Sequence, residues 1–230
     1  LKKKGIILCG TDTEVYPTAE LTWSLIMLGW RGILKELENM QSGKWQTTIG
    51  RCLNGKTLGI FGLGKQGLQV ANFGKTFGMD VIAWSHNLKS EDCRKAAVKH
   101  VNYSELFKTS DILTIHTRLS ERTRGFIDIQ KLSSMKKNSF LVNTSRGPII
   151  KEDDLIYCLE NDIIGGAALD VYDIEPLPKN HELRYLSYTY NVVLTPHLGY
   201  VSSETYEKFH QGYVNAIHSY INGKPINVLN

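Results

Sequence analysis

Cysteine, proline and long apolar runs are all scarce in this sequence, and each shortage excludes something. Its four cysteines, Cys9, Cys52, Cys93 and Cys158, lie far apart and form no C-x-x-C pair. A disulfide framework or zinc site is disfavoured, no metal is expected, and reduced thiols in a cytoplasmic protein fit. No internal repeat, low-complexity segment or flexible linker is present among its six prolines. No apolar stretch approaches the roughly 20 residues of a membrane span, so no membrane role is expected. Residues 1–10 are too briefly apolar for a secretory signal. Charge of neither sign dominates, with 27 Lys and Arg against 23 Asp and Glu. The single basic run, Lys2-Lys3-Lys4, stands at the start, where a solvated end is its plain reading. No zinc-finger or RNA-binding motif accompanies it, and no nucleic-acid partner is expected.

What remains is ordinary globular material. Apolar residues make up 42% and charged residues 22%, enough for a sizeable core. Short β-branched runs alternate with amphipathic ones along the chain. Strands are predicted over 5–9, 57–61, 80–84, 111–116, 139–143, 164–169 and 192–194. Helical patterns fill 65–76, 91–98, 103–109, 128–134 and 152–160 between them. Such alternation specifies an α/β fold, a doubly wound parallel sheet covered on both faces. Two helices stand outside the rhythm. One is predicted over 17–40 behind Pro17, with Gly29 and Gly32 read as close packing against another element. The other is predicted over 203–222 and stops at Gly223, with Pro225 just beyond. Phe209, Tyr213, Ile217 and Tyr220 share one face of it, read as ordinary core.

Gly62-Leu63-Gly64-Lys65-Gln66-Gly67 is a G-x-G-x-x-G between an apolar run and an amphipathic one. That context favours a dinucleotide site over a plain turn. The first glycine allows the tight turn, Gly64 lets backbone approach a pyrophosphate, and Gly67 lets the helix pack close to the strand. The helix N-terminus then offers free N–H groups to the phosphates. About 20 residues on, where an NAD site usually has an acid, the sequence has Ser85-His86-Asn87. Ser85 and His86 could bond either a ribose hydroxyl or a 2′-phosphate. Both NAD and NADP are therefore admitted as the cofactor.

Ligands bind outside the carboxyl ends of parallel strands. Five predicted strand ends carry useful groups there: the glycine loop, His116-Thr117, Asn143-Thr144-Ser145-Arg146-Gly147, Asp170 with Glu175-Pro176, and Thr195-Pro196-His197-Leu198-Gly199. Arg146 can grip a carboxylate with its planar fork. His197 can give or take a proton, and Glu175 can orient the imidazole. His116 is read as structural.

These five motifs, in this order, resemble the D-isomer-specific 2-hydroxyacid dehydrogenase family. The resemblance implies a Rossmann sheet with remnants of a second, smaller substrate domain: 1–14 a remnant, 15–202 the dinucleotide-binding domain, and 203–230 a helix returning to the substrate domain. It implies hydride transfer between NAD(P)H and a small 2-keto or D-2-hydroxy acid, with Arg146, Glu175 and His197 catalytic. Cofactor contacts are implied at Lys65, Gln66, Ser85, Thr117, Thr144, Ser145 and Asp170, with Gly199 in the last motif. A homodimer through the helix over 17–40 is implied as well. The family also carries a substrate-domain segment before the part matched. Together with Leu1 in place of Met, this predicts a fragment that is catalytically poor by itself, with 5–9 as a last strand of that domain. A nucleotide-sensing corepressor on the same fold is the alternative. Formate dehydrogenases on this scaffold carry Gln at the position of Glu175, which argues against that activity.

Overall fold

The computed structural model describes residues 1–230, Lys2 by its backbone alone. It divides into two compact units, residues 18–199 and residues 1–17 with 200–230.

The larger unit is built on seven parallel strands: β1 (Thr57–Phe61), β2 (Asp80–Trp84), β3 (Lys99–His100), β4 (Ile112–Ile115), β5 (Phe140–Asn143), β6 (Ala167–Leu169) and β7 (Val192–Leu194). Their order is β3-β2-β1-β4-β5-β6-β7. The chain winds outward from β1 to β3, returns to lay β4 beside β1, and winds out the other way. A crevice therefore opens between the carboxyl ends of β1 and β4, which pair in register from Leu58↔Ile112 to Phe61↔Ile115.

Alternation along the strands makes two cores. Leu58, Ile60, Ile112, Phe140 and Val142 enter one apolar cluster with Trp23, Ile26 and Val70 of the flanking helices. Phe61, Leu113, Ile115 and Leu141 enter the other, with Leu106, Leu132, Leu155 and Leu183. The helices concerned are α1 (Tyr16–Trp30) and α3 (Lys65–Thr76) on the first face. On the second are α5 (Tyr103–Thr109), α6 (Ile129–Ser133), α7 (Glu152–Glu160) and α8 (Glu182–Thr189). With both faces dry, central strands have no polar period, and they read as continuous apolar runs. The helix α4 (Ser90–Lys95) leads into β3. Neither α8 nor β3 was predicted from the sequence, and the two residues of β3 are too few to show a period.

The helix predicted over 17–40 is two helices. α1 ends at Trp30, and α2 (Ile33–Gln41) starts after Gly32, whose φ of +67° is left-handed. Gly32 is thus a helix break, where only a residue without Cβ is unstrained. Gly29 does serve close packing, since a methyl there would lie 2.1 Å from the Phe140 ring.

In the smaller unit, the strand predicted over 5–9 does not form. Cys9 makes only an isolated antiparallel bridge to Val228, flanked by Gly10 N–H donating to Asn227 O at 2.9 Å and Leu229 N–H to Leu8 O at 2.8 Å. The last helix of this unit, α9 (Ser203–Ile221), forms where the pattern predicts it. Its face of Tyr213, Ile217 and Tyr220 is not core, as these are 52%, 61% and 61% exposed. Helical spacing marks an apolar face but does not say whether a neighbour covers it. No helix among the described residues is long and apolar enough to cross a membrane.

Candidate active site

The first wall of the crevice is the glycine loop. β1 ends at Phe61 and α3 starts at Lys65, so Gly62–Gly64 must reverse the chain in three residues. Gly62 has φ +107°, and a Cβ on it would lie 2.6 Å from the Thr117 amide nitrogen at the end of β4. A Cβ on Gly67 would lie 2.1 Å from Gly62 O. Both positions are closed to any side chain by backbone. Gly64 differs, since a Cβ there meets nothing within 4 Å. The second glycine therefore faces open space. α3 carries no acidic residue in its first turn. This donor set of unopposed N–H groups, with an open glycine in front, fits the pyrophosphate of a dinucleotide.

At the end of β4, His116 Nε2 meets Thr114 Oγ at 2.9 Å, and its Nδ1 is buried without a hydrogen-bond partner. Burial pushes this imidazole down to about 4, so it is neutral at neutral pH. As pH falls from the ordinary 6.5 towards about 4, the unfolded chain takes up a proton that the folded chain refuses, and stability drops. Beside it, Thr117 O accepts from Ser145 Oγ at 2.6 Å, tying the ends of β4 and β5. Asn143 folds the turn that follows β5. Its Oδ1 accepts from Ser145 N–H at 3.0 Å, and its Nδ2 donates to Arg146 O at 2.9 Å. Arg146 is thereby projected outward, its Nη1 donating to Ser145 O at 2.6 Å. Thr144 turns inward to Thr22 of α1, oxygen to oxygen at 2.9 Å.

Asp170 at the end of β6 is fully buried. Its carboxylate accepts from Thr195 Oγ at 2.7 Å, Leu198 N–H at 2.7 Å and Gly199 N–H at 2.8 Å. Burial raises its pKa above the ordinary value, and these three donors with His197 work against the rise. Asp170 thus anchors the whole loop from Thr195 to Gly199. His197 sits in that loop at φ +54°, a left-handed geometry that histidine tolerates better than most residues. Its Nδ1 lies 2.7 Å from Glu175 Oε2. The other Glu175 oxygen accepts from Tyr172 N–H at 3.0 Å. Burial pushes the Glu175 carboxyl up. The Tyr172 amide, the His197 ring and the Arg146 charge outweigh it and hold the carboxyl below its usual range. A methyl on Gly147 would lie 2.1 Å from the Tyr172 carbonyl carbon, so the loops carrying Arg146 and Glu175 touch backbone to backbone.

Of the residues read from the sequence, the fold brings together Gly62, Gly67 and Thr117 through their backbones. It joins Thr117 with Ser145, Asp170 with Gly199, and Glu175 with His197. Ser85 and His86 stand at the end of β2. The His86 ring packs 4.9 Å from Trp84 and 5.1 Å from Phe126. Lys65 is exposed at the start of α3. Three participants belong to no motif. Tyr172 OH donates to Thr195 O at 2.8 Å, while Thr18 and Thr22 join the network from α1. Their only sequence signal is a pair of hydroxyls four residues apart on an otherwise apolar helix face. A cavity of about 320 Å³ lined by Trp30, Arg51, Tyr190 and Val192 lies elsewhere and includes none of Arg146, Glu175 or His197. The candidate site is an open edge of the sheet.

The family described as D-isomer specific 2-hydroxyacid dehydrogenase, NAD binding domain, matches residues 23–199. A glyoxylate reductase of Aeropyrum pernix is 38% identical over 205 residues, which are 85% of this chain and 60% of that one. The chain thus spans about three fifths of that relative's length. Among solved structures, a phosphoglycerate oxidoreductase of Vibrio cholerae superimposes with a TM-score of 0.90 at 34% identity, covering 96% of this chain and 71% of that one. A D-lactate dehydrogenase of Aquifex aeolicus, complexed with NAD and lactic acid, gives 0.87 at 26% identity, with 96% and 71% covered.

Proposed function

The chain belongs to the D-isomer-specific 2-hydroxyacid dehydrogenase family, through that family's NAD-binding domain, and from this premise we propose that it serves an oxidoreductase acting on a small 2-keto or D-2-hydroxy acid. The observation that carries the reading is the Glu175–His197 pair at 2.7 Å, on the same sheet edge as a glycine loop with an open second glycine. A bound NAD(P)H would supply the hydride. Gly62, Gly64 and Gly67 shape its cradle, and Lys65, Gln66, Thr117, Thr144, Ser145 and Gly199 border it. Arg146 grips the substrate carboxylate. His197 would donate a proton to the carbonyl oxygen, and Glu175 orients the ring. Asp170 serves the site by shaping the His197 loop.

The test is consumption of NADH or NADPH with glyoxylate, hydroxypyruvate and pyruvate by the full-length protein. Glyoxylate, the smallest, asks least of a side-chain pocket and should be reduced. Failure of both cofactors to bind, measured by nicotinamide fluorescence, would sink the proposal. The nucleotide-sensing reading is not favoured, because the similar proteins are reductases and dehydrogenases.

Ser85 and His86 set the choice between NAD and NADP. Ser85-His86-Asn87 at the end of β2 place no acid there against a 2′-phosphate. Ser85→Asp should weaken NADPH binding roughly tenfold or more through like-charge repulsion, leaving NADH binding within about twofold. Equal effects on both cofactors, in parallel fluorescence titrations, would place the adenosine ribose elsewhere.

Two organisational proposals accompany this one. Residues 1–14 and 203–230 are assigned to the substrate domain, supported by the unit that residues 1–17 and 200–230 form. A homodimer through the helix pair over 17–40, α1 and α2, is supported by exposed apolar side chains there: Leu37 and Met40 are 54% and 59% exposed.

A further inference from the structure

Thr18 stands in no motif, yet its hydroxyl is a junction. Its oxygen lies 2.7 Å from Gly199 O. A carbonyl can only accept, so the one hydroxyl hydrogen points there. The lone pairs then face other donors, and Gln66 Nε2 donates to them at 3.2 Å. Gln66 lies in the first turn of α3, within the glycine-loop cradle, and Gly199 closes the loop that carries His197. Gly199 is held from its other side too, its N–H donating to Asp170 Oδ2 at 2.8 Å. A methyl on Gly199 would lie 3.2 Å from Asp170 Oδ2 and 3.5 Å from Thr18 Oγ, so this residue is clamped between the two. Thr18 is only 7% exposed, and water cannot readily replace either bond if one partner is lost.

We infer that Thr18 is a positioning residue whose hydroxyl keys the His197 loop to the dinucleotide cradle through Gln66. Two hydrogen bonds separate the helix that receives the phosphates from the loop that presents the imidazole. Filling the cradle orders the first turn of α3, fixes the Gln66 side chain, and through Thr18 steadies the carbonyl of Gly199. Proton donor and cofactor are thereby held in one frame, which matters because misplacement by about 1 Å can cost roughly a hundredfold in rate. The inference rests on the cofactor reading proposed above.

The test is amide hydrogen exchange by NMR on the full chain, with and without saturating NADH. In wild type, NADH should slow exchange at Gln66–Leu68, and should slow Leu198 and Gly199 by about five- to tenfold, the scale of one neutral hydrogen bond. In Thr18→Val the slowing at α3 should remain and that at Leu198 and Gly199 should vanish. Thr18→Ser, which keeps the hydroxyl, should restore it. Gln66→Leu leaves the Thr18–Gly199 bond in place and cuts the link to the cradle; at NADH concentrations that still slow exchange at Gly67 and Leu68, it should lose the slowing at Leu198 and Gly199 as well. Should Thr18→Val fail to fold, Gln66→Leu decides the matter. Retention of the slowing at Leu198 and Gly199 in either folded variant overturns the inference. Slowing at α3 alone in wild type would overturn it while leaving the cofactor reading intact. No slowing at α3 in wild type would remove the cofactor reading, and this inference with it.

Discussion

Replacing His197 by alanine is expected to lower the rate of keto-acid reduction by roughly 10²–10⁴-fold, the contribution of a lost general acid. NADH affinity should stay within about twofold, because the ring pairs with Glu175 of the loop after β6. The check, on the full-length protein, is kcat and KM for glyoxylate beside a fluorescence titration of NADH. Near wild-type turnover in His197→Ala would make the proposed mechanism wrong. Glu175→Gln extends the test across pH. The carboxyl of Glu175 is held below its ordinary 4.5. Its pairing is therefore fully present above that value and is lost only as pH falls through the lowered one. At neutral pH an anion therefore sits 2.7 Å from the ring nitrogen. The amide keeps a hydrogen-bond acceptor and loses the charge. The change on the acid side that wild type shows as Glu175 takes up its proton should therefore be missing from the Glu175→Gln profile. Identical pH–rate profiles would mean that Glu175 only orients the ring.

Gly64→Val is expected to abolish dinucleotide binding while the protein stays folded, weakening NADH by roughly a hundredfold or more, or about 2.7 kcal/mol. Its Cβ meets nothing within 4 Å in the folded chain, and its φ of −83° is open to any residue. The side chain would occupy the space in which the pyrophosphate must approach backbone. Gly67→Ala should do the reverse. Its Cβ would press on Gly62 O at 2.1 Å, an overpacking that costs about 1–3 kcal/mol. A thermal melt should then fall by several degrees, at about 2–4 °C per kcal/mol for a chain of this size. Unchanged NADH affinity in folded Gly64→Val would move the dinucleotide away from this loop. An unchanged melt for Gly67→Ala would show that the helix relaxes without loss.

Much of the arrangement was written in local pattern. Strand–helix alternation, a glycine loop between them and polar residues after apolar runs are short-range signals, because φ/ψ demands and side-chain periodicity act over a few residues. From them came the parallel sheet, the cradle, and Arg146, Glu175 and His197 as candidates on one edge. Gly67 could be assigned to close helix–strand packing for the same reason. The misreadings were also local in origin. Gly29 and Gly32 look alike in the sequence, three residues apart in one apolar stretch. Only the fold shows Phe140 against the first and a left-handed turn at the second. The aromatic face of α9 has the spacing of a core face and lies exposed, since periodicity orients side chains without supplying a neighbour.

What the sequence determined by itself was which residue types stand at which strand ends, and hence the chemistry available at one edge of the sheet. What only the tertiary structure decided was which of them meet. Glu175 and His197 are 22 residues apart, and only the side-by-side placement of β6 and β7 closes them to 2.7 Å. The Asp170 carboxylate accepts from Thr195, Leu198 and Gly199, a use that exists only once the next loop folds over it. Thr18 and Gly199 are 181 residues apart, and no window on the chain contains both. Hydrogen bonds and charge pairing act over a few ångströms in space, and distance along the chain says nothing about them until packing has chosen the neighbours.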